Sequence, residues 1–405
     1  GVVVGITTLT PAELPRVTTV EAIRSTKVVC VPAAAGATVM VDNTTTVTPL
    51  GGATTQTNRA VLTGQETSVV AEGTDGPTGS TIVGNGGVRT LTQCVKPVSR
   101  GVIALPATAD TQLKIVNPDA SEAAIDLTLY GAEGEIQSLG ARGITLAAYE
   151  ERAIALSVLT KKATPVGVSF QASRGRAAVM AITQTQSSGT AAGPSQLGTS
   201  HLLPGIPAGA TSSVIVLANP SETRITANLT AYGTTPAYHP QGGENISIPS
   251  HASVSVSLEN ALLGEASAIQ VSSDAPVMAG MAFTLGDSAQ VAPVSAGTSL
   301  GAFTPPGGTL QLTNPGEGDV QATVTATGAD GTEERATVTV GTGQTTVHKL
   351  PTATEQGQRV VVSSDQPLFG AVVSSGDTGS WAAPLESMTK GENPPLAAEL
   401  DPGLH

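Results

Sequence analysis

Two sets of residues in this chain have the types that could do chemistry. The first is Gly297-Thr298-Ser299-Leu300-Gly301, which spells the nucleophile-elbow pattern. Such a serine works only where a strand turns sharply into a helix of an α/β sheet. Here the pattern falls in a linker between β-patterned segments, in a chain so rich in Gly and Ser that chance supplies it. The second set is the five histidines, His201, His239, His251, His348 and His405. They form no HExxH motif and no pair at ligand spacing, so capping or solvated roles outweigh metal binding. A phosphate-binding loop is absent, and no GxGxxG follows a strand. Paired carboxylates for glycoside hydrolysis cannot be read from spacing, but sugar clefts are lined with aromatic rings, and this chain has 4 Tyr, 4 Phe and 1 Trp. The sequence therefore assigns no catalytic, cofactor or metal residue, and the chain reads as non-enzymatic.

The elements that would carry any site are organised by a phrase that occurs three times. It reads NPDASEAAIDLTLYG from Asn117, NPSETRITANLTAYG from Asn219 and NPGEGDVQATVTATG from Asn314. Starts 102 and 95 residues apart give the length of a small domain. Alternation marks strands in the first copy at Leu113 and Ile115; Ile125, Leu127 and Leu129; Ile144 and Leu146; Ile154, Leu156 and Val158; Val166, Val168 and Phe170; Val179 and Ile182. Short alternating strands with frequent turn residues predict an all-β chain of tandem immunoglobulin-like β-sandwich domains. The expected divisions are an anchor stump and stalk over 1–27, a smaller N-terminal β-domain over 28–104, sandwiches over 105–199, 200–296 and 297–394, and a tail over 395–405. The 28–104 segment lacks the Asn-Pro phrase, which makes it either a different fold or a worn relative of the others.

Each recurring feature has a structural reading that outweighs a functional one. Asn-Pro ends a strand, because proline donates no ladder hydrogen bond and asparagine closes a turn through its side chain. Ser-Ser-Asp-x-Pro, at 272–276 and 363–367, reads as a turn between the last two strands, with Asp bonding amides two residues on. Tyr130 and Tyr232 close two of the phrases, and a tyrosine at a strand end covers the core edge. With Tyr149, Tyr238 and Trp381 they are also the candidate interface or glycan contacts. Trp381, as the lone tryptophan, is expected first as a core plug.

Composition narrows the partners. A net charge of −13 and a pI near 4.8, with no basic cluster, repel phosphate backbones and exclude nucleic acid as a natural ligand. Cys30 and Cys94 are an even pair in a chain whose Thr- and Ser-rich make-up suits export; they point to one disulfide, two buried free thiols being the alternative. The apolar start, GVVVGI, reads as the outer stump of a signal or anchor helix, or as a first strand.

The NPxxxxxxVxLTxYG phrase, the SSDxPVxAG segment and the two-cysteine N-terminal β-domain together resemble an uncharacterised family of exported, membrane-anchored actinobacterial cell-envelope proteins with tandem β-sandwich repeats. Their genes tend to sit near cell-wall glycosyltransferases. The resemblance runs from about Val28 to Pro384. It implies an N-terminal membrane tether, an extracytoplasmic location and an accessory role beside a membrane-bound sugar transferase, and it supplies no catalytic residues. A scaffold or accessory subunit is therefore the leading expectation, a carbohydrate-binding or adhesive wall protein the alternative, and a hydrolase the third.

Overall fold

Alternating β-branched and small polar residues make nearly every element a strand. In the computed structural model the described residues are 25–388, without 75, 86–87, 107–108, 163–164, 185–188, 353–356 and 375–379. The expected stump, the tail and most of the stalk lie outside them. Among the described residues no helix is long and apolar enough to cross a membrane. The one helix among the described residues is a single turn, Leu156–Leu159. There the expectation of a strand through Leu156 and Val158 is corrected: pairing with the neighbouring strand stops at Ala155. The turn then sends Leu156 and Leu159, three residues apart, into the core and leaves Val158 exposed.

Each unit closes as two antiparallel sheets over an apolar core, compatible with the immunoglobulin-like sandwich expected. In the first unit the eight strands are Thr26–Cys30, Ala37–Asp42, Thr46–Pro49, Thr55–Gln56, Arg59–Gln65, Val69–Gly73, Thr78–Asn85 and Val88–Gln93. The first, sixth, third and fourth form one sheet; the fifth, second, seventh and eighth form the other. The second unit repeats this order. Arg100–Leu105, Val166–Arg174 and Ala123–Gly131 pair in one sheet, and Glu151–Ala155, Thr111–Val116, Ala178–Gln184 and Gly189–Ala192 in the other. The N-terminal segment is thus a fourth copy of the repeated topology. The division expected at residue 104 cuts the strand Arg100–Leu105, whose partner is Val166–Arg174, so that strand belongs to the second unit.

The Ser-Ser-Asp-x-Pro segments are not turns. Ser267–Leu285 and Gln358–Ser374 each run unbroken through them, pairing with one sheet before the motif and with the other after it. These strands turn a corner between sheets. Asp274 accepts from the backbone N–H of Thr226 on the neighbouring strand (3.0 Å), not from amides two residues on. The local bond is made by serine: Ser273 and Ser364 hydroxyls donate to the carbonyls of Ala275 and Gln366, both at 2.7 Å. In the second unit Gly175 replaces the motif, and the strand breaks into Val166–Arg174 and Ala178–Gln184.

The Asn-Pro asparagines hold the turns as expected, from fully buried positions. Asn219 donates to the carbonyls of Thr223 (2.7 Å), Ile248 (3.0 Å) and Pro249 (3.2 Å), while its side-chain oxygen accepts from the N–H of Ser221 (2.8 Å). Asn117 and Asn314 repeat the pattern. In the first unit Thr44 takes this place, its hydroxyl donating to the carbonyl of Thr57 (2.6 Å). Replacing Asn219 with alanine strands several buried backbone groups at once. It should lower stability by about 2–4 kcal/mol, read from the urea midpoint; a loss below about 1 kcal/mol would contradict the role.

The four units close into a ring through four seams built alike. In every seam the sheet of one unit that holds its first strand meets the other sheet of the next unit. Val29, Val31 and Val70 of the first unit cluster with Ala178, Met180 and Ile182 of the second. Val102, Ala104 and Tyr130 cluster with Val216, Ala218 and Met278 of the third. Tyr232 and Ala268 meet Phe369 of the fourth. The fourth unit then returns to the first: the Ser80 hydroxyl donates to the carbonyl of Phe303 (2.9 Å), and Arg359 pairs with Asp42 at 3.1 Å. Head-to-tail contacts of this kind make rings when the rotation closes, and here all four partners lie on one chain.

Candidate functional site

Four strands near the ends of the units, Val88–Gln93, Gly189–Ala192, Asp287–Val291 and Trp381–Pro384, pack against one another in cyclic order at the ring axis. Each runs on into a proline, at Pro97, Pro194, Pro293 or Pro384. Close to that proline the chain bridges back to its own first strand, Val95 to Val29, Ser195 to Val102, Val294 to Leu202 and Glu386 to Gly301. Since proline cannot donate to a ladder, pairing ends there and the chain is free to line the axis. Between the four exits lies a cavity of about 460 Å³ walled by all four units. Its ionisable side chains are Lys96 and Glu386, Cys94 being held in the disulfide.

Burial pushes the Glu386 carboxyl up from 4.5 to about 7, with Lys96 opposing the rise. Gln290, on the third exit, is 6% exposed; its backbone N–H and its side-chain amide nitrogen donate to the hydroxyls of Thr190 (2.7 Å) and Thr183 (3.0 Å). Its side-chain oxygen is buried without a partner. Further polar walls come from Gln93, Gln196, Ser195 and Ser295. One carboxyl titrating near neutrality, one ammonium and several amides suit recognition by hydrogen bonds. The second carboxylate that glycoside hydrolysis needs does not line the cavity.

The model of a family of unknown function, DUF5719, matches residues 45–351 of the chain. The chain belongs to this family. The DUF5719 match begins inside the first unit and ends in the fourth, so it spans all four. No curated protein and no solved structure matches the chain.

In this DUF5719 chain the candidate contact residues are spent on the ring itself. Tyr130 and Tyr232 are 8% and 5% exposed and sit at the second and third seams. Tyr232 donates its hydroxyl to the side-chain oxygen of Gln270 (2.5 Å) and meets Phe369 edge-on at 6.2 Å. The glycan-stacking expectation for both is corrected, because their faces are covered by the next unit. Trp381 is 2% exposed in the core of the fourth unit, a plug and not a contact. Tyr238 is partly buried and donates to the carbonyl of Ala261 (3.3 Å), whereas Tyr149 is exposed. Ser299 lies within the strand Gly297–Thr304 and not in a linker; no helix follows it. His201 is buried, its Nε2 2.8 Å from the carbonyl oxygen of Val277, and burial lowers its pKa. His405 lies outside the described residues. Among the described residues no cluster of three or more His, Cys, Asp or Glu is placed to hold a metal. Cys30 and Cys94 form a disulfide that links the first strand to the exit at the axis.

Sequence reasoning missed Lys96, Gln290 and Glu386, although a signal existed. The block Trp381-Ala382-Ala383-Pro384 matches Val291-Ala292-Pro293, and extending the match to Gly193-Pro194 and Lys96-Pro97 marks the same exit in all four units.

A raised carboxyl makes stability depend on pH. The contribution of Glu386 is fully present below about 4.5 and is lost as pH rises through about 7. Relative to Glu386→Gln, the native chain should lose up to about 3 kcal/mol between pH 4.5 and 8, less where cavity water screens the charge. Urea midpoints of both proteins at the two pH values check this; an equal difference at both would contradict it.

Proposed function

We propose that the chain is a non-enzymatic, extracytoplasmic scaffold or accessory subunit of the cell envelope, partnering a membrane-bound glycosyltransferase or another wall-assembly protein. The observation that carries this reading is the set of sheet-end strands around the closed ring, docked at the seams by Glu151, Ser253 and Thr345 and without a second strand partner beyond them. In every unit one strand, Arg59–Gln65, Glu151–Ala155, Ser253–Ser257 or Thr345–Lys349, ends its sheet and has one strand neighbour. Val61 and Val347 on two of these edges are exposed. Such edges accept a strand or loop from a partner. The disulfide is compatible with an oxidising location, and the envelope and glycosyltransferase context comes from the resemblance of the repeated phrases. The carbohydrate-binding alternative is weakened by the burial of Tyr130, Tyr232 and Trp381.

Affinity purification from crosslinked, solubilised envelope, with the crosslinks mapped by mass spectrometry, tests the reading. A membrane-bound wall-assembly protein joined at one of these sheet-end strands is the expected result. Recovery of the chain alone would overturn it.

A further inference from the structure

We propose that the outer edge of the fourth unit, the strand Glu333–Val340, is a docking site for a basic, extended peptide segment of a partner protein, which joins the sheet as a further strand. The inference goes beyond the scaffold reading: it concerns other strands than those named above, and its test needs no envelope. In each unit the sheet that holds the first strand has an outer end. In the first three units this place is broken into short pieces, Thr55–Gln56, then Gly134–Ile136 with Ile144–Leu146, then Ile246–Ile248. Loops cover the rest through single bonds, such as the Leu127 N–H to the carbonyl of Ala141 (2.7 Å) and the Leu229 N–H to the carbonyl of Gly243 (2.6 Å). Natural sheets blunt their edges by such shortening. In the fourth unit the place is held by eight residues in unbroken register with Val320–Gly328, from Val340 opposite Val320 to Glu333 opposite Thr327. Among the described residues no second strand pairs with them.

The side chains select the partner. Val338 and Val340 are buried, whereas Glu333, Glu334, Arg335, Thr337 and Thr339 are exposed. No proline or bulge interrupts the strand, and its half from Ala336 to Val340 has no charged side chain, so the devices that block pairing are absent there. From Pro315 to Gln344, which takes in this strand, its neighbour and the turns at either end, the chain carries five carboxylates and one guanidinium. Glu317 and Asp319 lie at the Val340 end, and Asp330, Glu333 and Glu334 at the other. Arg335 is already paired with Glu333 at 3.2 Å. Backbone pairing supplies affinity for any extended chain, and the charges choose among such chains. A segment basic at both ends answers the carboxylates at both ends of the edge. An acidic strand, or the same edge of a second copy, brings carboxylates to carboxylates.

Fluorescence anisotropy on the purified chain tests this with the dye-labelled peptide KKTVTVTKK as probe. EETVTVTEE and KKTVPPTKK serve as comparators: the first reverses the charge, and the second keeps it while removing two adjacent backbone donors. Saturable one-site binding of KKTVTVTKK is expected, with both comparators weaker by about tenfold or more. Glu333→Lys combined with Glu334→Lys, both at exposed positions, should weaken KKTVTVTKK by a similar factor and strengthen EETVTVTEE. Glu135→Lys, on the short outer strand of the second unit, should change neither. Amide hydrogen exchange should slow over Glu333–Val340 when KKTVTVTKK is bound. No saturable binding at millimolar concentration, equal binding of KKTVPPTKK, protection confined to another strand, or affinities unchanged by the double substitution would each overturn the proposal.

Discussion

Replacing Gly280 with valine should lower the stability of the chain by roughly 3 kcal/mol or more. Gly280 lies on the corner strand Ser267–Leu285 at the seam between the second and third units. A Cβ built there would stand 2.2 Å from the carbonyl oxygen of Ala104 and 3.0 Å from its carbon. These are backbone atoms of the neighbouring unit, held in the strand Arg100–Leu105, so no side chain can swing aside. The same seam is tight on its other side, where a Cβ on Gly167 would meet the Ala218 Cβ at 2.4 Å. The two units can therefore accept a side chain at Gly280 only by separating, which exposes Val102, Tyr130, Val216 and Met278 to water. Gly84→Ala is the control, since a Cβ there meets nothing within 4 Å. Urea midpoints that fall for Gly280→Val and hold for Gly84→Ala are expected; equal midpoints would refute the tight seam.

The second large effect is expected from removing the disulfide. Cys30 and Cys94 are 64 residues apart, and cross-linking a loop of that length stabilises by about 4 kcal/mol through the entropy of the unfolded chain. The bridge ties the two sheets of the first unit together, and that unit closes the ring against the fourth. Reduction should therefore loosen two seams at once, including the one held by Ser80 with Phe303 and by Arg359 with Asp42. Denaturant midpoints of the Cys30→Ser, Cys94→Ser double variant measure the loss. A change below about 1 kcal/mol would show that seam packing alone holds the first unit.

How far the sequence carried the reading depends on what each residue reports. Alternation of apolar residues reports which face of a strand is buried, and Leu113, Ile115, Ile125, Leu127, Leu129, Val166, Val168 and Phe170 all lie in the core of the second unit. It does not report what covers the other face. Val179 faces that core, whereas Ile182, three positions on along the same strand, packs on the first unit at a seam. Tyr130 and Tyr232 were legible as strand-end tyrosines, but the surface they meet lies in the next unit, a hundred residues away in the chain. The fourth copy was hidden because its turn is held by Thr44 in place of a buried asparagine, with no proline to mark it. Glu386 carries no pattern of its own, since its perturbed carboxyl comes from where four chain exits converge.

The central claim is that four units of one topology close on themselves, with the fourth packed on the first. Small-angle X-ray scattering of the chain trimmed to residues 25–388 measures this most directly. A closed ring should scatter with a radius of gyration of roughly 21–25 Å, close to that of a single compact chain of this length. A row of sandwiches free at both ends, with a radius of gyration above about 30 Å, would contradict it.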